Sequence, residues 1–291
     1  MRARGRLLSC LVTMAIALAG FVTTGALSAA ATPSTIQYVA LGDSYAAGTA
    51  AVGSLPNCPH GAGGYPVLLA QGRIVLTANA ACSGATTDGV RSQLSALERD
   101  TRLVTLTVGA ANLGLSFVLD ACTVGTPQQC RDAISDAQGV LGDCREGDSS
   151  ELDGPLRGLY GEVADEARGA RIVVTGYPLL FESPAAGDPR AAINEATTRL
   201  NCVIERAVAA TQDTYANIRY VDVTEEFAGH GIVDPRSCTA SAFIHSLLIC
   251  DPPPPRPGNT EAFHPTAAGY VAYAEAIKTK LPDGWLDRPS T

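Results

Sequence analysis

Lysine is almost missing from this sequence: Lys278 and Lys280 are the only two among 291 residues. Arginine raises the basic side chains to 21 against 29 carboxylates, a formal net charge of -8, and no basic run forms in the body of the chain. Binding a nucleic-acid backbone needs concentrated positive potential, so that class of partner is excluded. Long apolar runs are scarce too. After Leu7–Val22 none approaches the roughly 18 residues that span a bilayer. No Cys-x-x-Cys pair occurs, the cysteine spacings do not suit zinc, and no other metal cluster is in view. Gly109-x-x-x-x-Gly114 lacks the Lys and Ser/Thr of a phosphate-binding loop. No metal and no cofactor is therefore expected. Neither an internal repeat nor a linker divides the chain beyond its first thirty or so residues.

What is present begins with an export signal. Arg2, Arg4 and Arg6 precede the apolar segment, and Ala26 to Ala31 supplies small residues suited to cleavage. Residues 1–31 are expected to be a signal peptide and 32–291 a single domain, secreted to the extracellular space; a retained anchor is the alternative. Eight cysteines follow: Cys58, Cys82, Cys122, Cys130, Cys144, Cys202, Cys238 and Cys250. An even number in an exported chain implies disulfides, whose connectivity the sequence alone leaves open.

Five short runs rich in Val, Ile and Leu read as buried parallel strands: Ile36–Leu41, Arg73–Ala78, Leu103–Val108, Arg171–Thr175 and Ile218–Val223. Helical patterns alternate with them at Asp88–Leu97, Gln128–Leu141, Leu156–Arg168, Ala191–Gln212 and Thr266–Leu281. That alternation predicts an α/β fold, a three-layer α/β/α sandwich around a parallel sheet. The loop Ala50–Tyr65 is expected beside the end of the first strand. Asp251-Pro-Pro-Pro-Pro-Arg-Pro257 favours an extended polyproline conformation, suited to a rigid rim tied down by Cys250.

The chemistry concentrates at two places. Gly42-Asp43-Ser44 follows the first strand, so the Ser44 hydroxyl would be presented at the carboxyl end of the sheet, where open α/β folds bind ligands. Glu261-Ala-Phe-His264-Pro265 near the other end supplies an imidazole that titrates near neutrality, with a carboxylate three residues before it. A serine hydroxyl becomes a useful nucleophile only beside such a base. The G-x-S-x-G pattern of the nucleophile elbow is absent around Ser44, which argues against the α/β-hydrolase fold. His60, His230 and His245 have no comparable context.

Gly-Asp-Ser after an apolar strand, together with the late Glu-x-x-His-Pro, resembles the SGNH or GDSL hydrolases, in particular the secreted, disulfide-bonded esterases, lipases and phospholipases of that family. The likeness runs from Tyr38 to Ala274. It implies a five-stranded, flavodoxin-like sheet (the SGNH hydrolase fold) and hydrolysis of carboxylic esters, on a small-molecule or lipid substrate, by a monomer with no stable membrane span. It also implies Ser44 as nucleophile, His264 as base and Glu261 as the group orienting His264, although the family usually places Asp there; a backbone carbonyl of the same loop is the other candidate. The Ser44 N–H and the Gly84 N–H, in Cys82-Ser83-Gly84, would form the oxyanion hole. The same resemblance favours Cys58–Cys82, Cys122–Cys130 and Cys202–Cys250, leaving Cys144 and Cys238. One block departs from the family pattern. Where Gly-x-Asn-Asp is usual, the chain has Gly109-Ala110-Ala111-Asn112, so Asn112 donates only if the loop shifts register. Phe117, Val118 and Leu119 are candidates to line an acyl pocket or to pack in the core. The rival reading, resting on Ala111, is a catalytically weakened protein of this fold that binds a lipid or glycan.

Overall fold

The computed structural model describes residues 35–285 apart from 51–57, 59, 146–148, 238–240, 250–255, 258–260 and 283. Five parallel strands form its centre: β1 (Ile36–Gly42), β2 (Ile74–Asn79), β3 (Thr101–Thr107), β4 (Arg171–Thr175) and β5 (Ile218–Val221), in the order β2-β1-β3-β4-β5. β3 and β4 are almost wholly buried on both faces, as strands covered by helices on either side must be.

Two sets of helices supply the cover. On one side α2 (Tyr65–Leu69) packs against α8 (Ala267–Lys280). The other set is a continuous layer: α3 (Thr87–Arg91) meets α6 (Asp153–Glu166), α6 meets α7 (Pro189–Gln212), α7 meets α5 (Pro127–Leu141), and α5 meets α4 (Leu115–Thr123). Short polar side chains cap several starts. Thr126 closes a capping box with Gln129 ahead of Pro127, Asp188 bonds the Arg190 N–H beside Pro189, and Thr266 opens α8. Strand order reverses between β1 and β3, which creates a crevice beyond their carboxyl ends. The first of these ends carries Asp43 and Ser44, and the second Gly109 to Asn112.

Three expectations need correction. β2 was expected to be buried, but as the edge strand it has one neighbour, and its side chains alternate between half-buried and exposed. Phe117–Leu119 belong to a helix, α4, that the sequence reading did not assign. Val118 and Leu119 are buried, and Phe117 is 68% exposed. Cys202 pairs with Cys144 rather than Cys250. The segment leaving α5 crosses α7, where Arg199 holds Gly142 and Asp143, and this brings the two Cα atoms to 6.3 Å. That separation lies inside the range a disulfide can bridge. Cys58–Cys82 and Cys122–Cys130 are formed as expected. Cys238, Cys250 and most of the proline-rich segment lie outside the described residues, as does most of the Ala50–Tyr65 loop.

Peptide mapping of the oxidised protein should recover a Cys144–Cys202 cross-link. The double variant Cys144→Ser/Cys202→Ser should lose about 2–5 kcal/mol in urea unfolding, because the bridge closes a separation of 58 residues.

Candidate active site

Ser44 is placed by a turn with almost no freedom. Gly42 sits at φ +130°, and a Cβ there would lie 2.2 Å from the Thr107 carbonyl oxygen, so only glycine lets β1 approach β3 this closely. The buried Gln93 amide grips both sides of the same residue, accepting from the Gly42 N–H at 2.8 Å and donating to its carbonyl at 2.9 Å. Asp43 N–H then donates to Thr107 at 2.9 Å. Asp43 caps α1 (Ser44–Ala47) by accepting from Tyr45 N–H, and Ser44 is the first helical residue. The N–H groups of a first helical turn have no partner within their helix. The Ser44 amide is one of these, and Ser44 lines the cavity.

Asp43 is 2% exposed and lies beneath the nucleophile turn. Burial raises its carboxyl pKa to about 7, against the opposing effects of a hydrogen bond from Tyr177 and one from the Tyr45 N–H. The Tyr177 hydroxyl donates to Asp43 and accepts from Ala110 N–H, joining the first strand's turn to the third's.

The histidine loop is clamped from both sides. Phe263 N–H donates to His245 O at 2.8 Å, and His245 N–H donates to His264 O at 2.9 Å. The Tyr45 hydroxyl donates to Phe263 O at 2.8 Å, so the residue after the serine holds the loop that carries the imidazole. Phe263 takes φ +63°, unusual for a side chain of its size. The Nδ1 of His264 lies 3.0 Å from the Ala262 carbonyl. A carbonyl only accepts, so this contact calls for the proton on Nδ1. The backbone of Ala262, the second of the two candidates, is thus placed where it meets the imidazole. Glu261 contributes its own carbonyl to the His264 N–H at 3.1 Å.

Ser44 and His264 line one cavity of about 370 Å³, together with Ser83, Gly84, Ala110 and Ala111. Gly84 takes φ +78° and is exposed there. Asn112 is turned elsewhere. Its side-chain oxygen accepts from Thr87 N–H at 3.0 Å, and its amide donates to the Thr87 hydroxyl at 3.1 Å, tying it to the start of α3. The loop keeps the plain register, and Ala111 faces the cavity where a donor side chain was sought. The sequence reading missed Tyr45, Gln93 and Tyr177, whose positions carry no local pattern. No group of three or more potential metal ligands occurs among the described residues.

The open parallel sheet thus brings a hydroxyl and an imidazole to one cavity at its switch point, a layout compatible with ester hydrolysis. The family comparison agrees: residues 40–272 match the GDSL-like lipase/acylhydrolase family, and the chain belongs to it. Lipase 1 of Streptomyces coelicolor is 31% identical over 277 residues, covering 91% of this chain and 94% of that protein. A lipase of Streptomyces rimosus is 31% identical over 270 residues, covering 89% and 90%. Among solved structures, phospholipase A1 from Streptomyces albidoflavus superposes with TM-score 0.71 at 29% identity, covering 85% of this chain and 100% of that one. The extracellular lipase from Streptomyces rimosus gives 0.69 at 28%, with the same coverage. The protein is a carboxylic ester hydrolase of the lipase and esterase type.

A raised carboxyl pKa means that the folded protein holds a proton the unfolded chain would release. The contribution of Asp43 to stability is therefore full below about pH 4 and lost as pH rises towards about 7. Asn keeps the cap without the charge. Urea midpoints of wild type and Asp43→Asn, compared from pH 4 to 8, should move against wild type across that window.

Proposed function

We propose that the enzyme cleaves carboxylic esters through an acyl-enzyme on Ser44. His264 Nε2 takes the hydroxyl proton as Ser44 Oγ attacks the carbonyl carbon. The Ser44 and Gly84 N–H groups receive the developing oxyanion. The tetrahedral intermediate then collapses, the alcohol leaves with the proton from His264, and water activated by the same base hydrolyses the acyl group. The observation that carries this reading is the place of His264: its Nδ1 meets the Ala262 carbonyl, which suits Nε2 as the acceptor, and it lines the same cavity as Ser44. The substrates are small or lipid esters, in keeping with the lipase and phospholipase A1 names of the relatives. Residues 1–31 are removed on export and the mature protein works outside the cell as a monomer. The three disulfides and the extracellular lipase among its structural neighbours support this, and no helix of the described residues is long and apolar enough to cross a membrane.

The geometry supports a base oriented by a neutral carbonyl. Glu261→Gln separates the two candidates: with the backbone as the orienting group kcat should stay within about threefold of wild type, whereas removing the charge of a true triad carboxylate costs about 10,000-fold. Ser44→Ala should abolish turnover of p-nitrophenyl acetate, butyrate and octanoate; equal rates in wild type and variant would defeat the proposal.

Ala111 and the engagement of Asn112 favour the rival reading, a weakened hydrolase that binds a lipid or glycan. Labelling by a fluorophosphonate, which needs only an activated serine, separates the two. On the hydrolase reading no side-chain donor stands at the usual asparagine position, an interaction whose removal elsewhere costs 100- to 1,000-fold. Ala111→Asn should then raise kcat by about tenfold or more with KM little changed. An unchanged kcat in a folded variant would show that this wall does not face the oxyanion.

A further inference from the structure

One wall of the cavity is unlike the rest. Helix α4 contributes Leu115, Ser116, Leu119 and Asp120, a stripe of one helical face. Asp120 is exposed, and no lysine or arginine is among the described residues that line the cavity. The other carboxyl, Asp43, is buried under the Tyr177 hydroxyl. Among the described residues that line the cavity, Asp120 is thus the exposed carboxylate. One turn before it, at the i, i+3 spacing that makes helix residues neighbours, Phe117 stands 68% exposed on the flank of α4 just outside the residues that line the cavity. Phe117 gains nothing from the core in that position.

A carboxylate beside an accessible aromatic ring suits one chemical class well. A quaternary ammonium has no N–H to donate, so hydrogen bonds cannot select it. It is recognised by negative charge and by the faces of aromatic rings, and it is more easily desolvated than a primary amine. Resting on the ester-hydrolase reading above, we propose that Asp120 and Phe117 make the α4 side of the cavity mouth a subsite for a quaternary ammonium group on the alcohol part of the ester. The same carboxylate disfavours esters with an anionic alcohol part. Chemistry at Ser44 is unchanged: the bond broken is the acyl carbon–oxygen bond, and the cationic alcohol departs with the proton from His264.

The test compares butyrylcholine with 3,3-dimethylbutyl butyrate, its uncharged isostere, by pH-stat hydrolysis, with p-nitrophenyl butyrate as a reference ester. Wild type should favour the choline ester in kcat/KM by about tenfold at low ionic strength, and less in high salt, because an exposed charge is screened. Asp120→Asn should bring the ratio close to one and remove its salt dependence, while Phe117→Ala should lower it by about threefold. Reading each variant as a ratio cancels any change in its basal rate. Turnover of p-nitrophenyl butyrate with a wild-type ratio near one, or a ratio that Asp120→Asn leaves intact, would overturn the subsite and spare the hydrolase. Inertness toward all three esters would overturn the hydrolase reading and the subsite with it.

Discussion

The contact between Gly42 and the Thr107 carbonyl is the point from which the site is laid out. It sets how closely β1 and β3 lie at their carboxyl ends, and every later element takes its place from that spacing. Gln93 grips Gly42 in both directions, Asp43 donates to the same carbonyl, and Ser44 emerges at the start of a helix only four residues long. So short a helix has little stability of its own. Its orientation is inherited from the strands through backbone hydrogen bonds, and Ser44 takes its position from the sheet beneath it.

Tyrosine does much of the remaining positioning. Tyr45 reaches from the serine turn to the histidine loop, and Tyr177 from Asp43 to Ala110. Behind them a chain of hydroxyls runs from Tyr65 through Thr107 and Thr175 to Tyr273, which is also bonded to the Gly176 carbonyl. Such groups are costly to bury alone and specific once paired, so the chain fixes the packing of α2 and α8 on the sheet more narrowly than aliphatic contacts would.

Much of the fold was legible because its signals are local. Apolar runs ended by turn residues marked all five strands, and cap residues lie at the starts of α5, α7 and α8. What was missed depends on neighbours in space. Arg73–Ala78 has the composition of a buried strand, and only the order of the sheet makes it an edge. Helix α4 follows directly on a glycine-rich turn, and its apolar residues suggested a pocket wall or core without indicating a helix. Cys144 finds Cys202 because α5 and α7 pack together, which spacing along the chain does not encode. In the site, Ser44, Gly84 and His264 follow from motifs, and the structure brings all three to one cavity. The Ala262 carbonyl carries no side-chain signature, so sequence could offer it only as one of two candidates.

The clamp on the histidine loop has a further consequence. His245, whose backbone bonds both Phe263 and His264, lies two residues before Leu247, and Leu247 lines the cavity. The cavity wall at Leu247 and the loop that carries His264 are therefore parts of one hydrogen-bonded ribbon. A change of side chain at Leu247 reshapes the cavity beside the very backbone that holds the histidine loop in place.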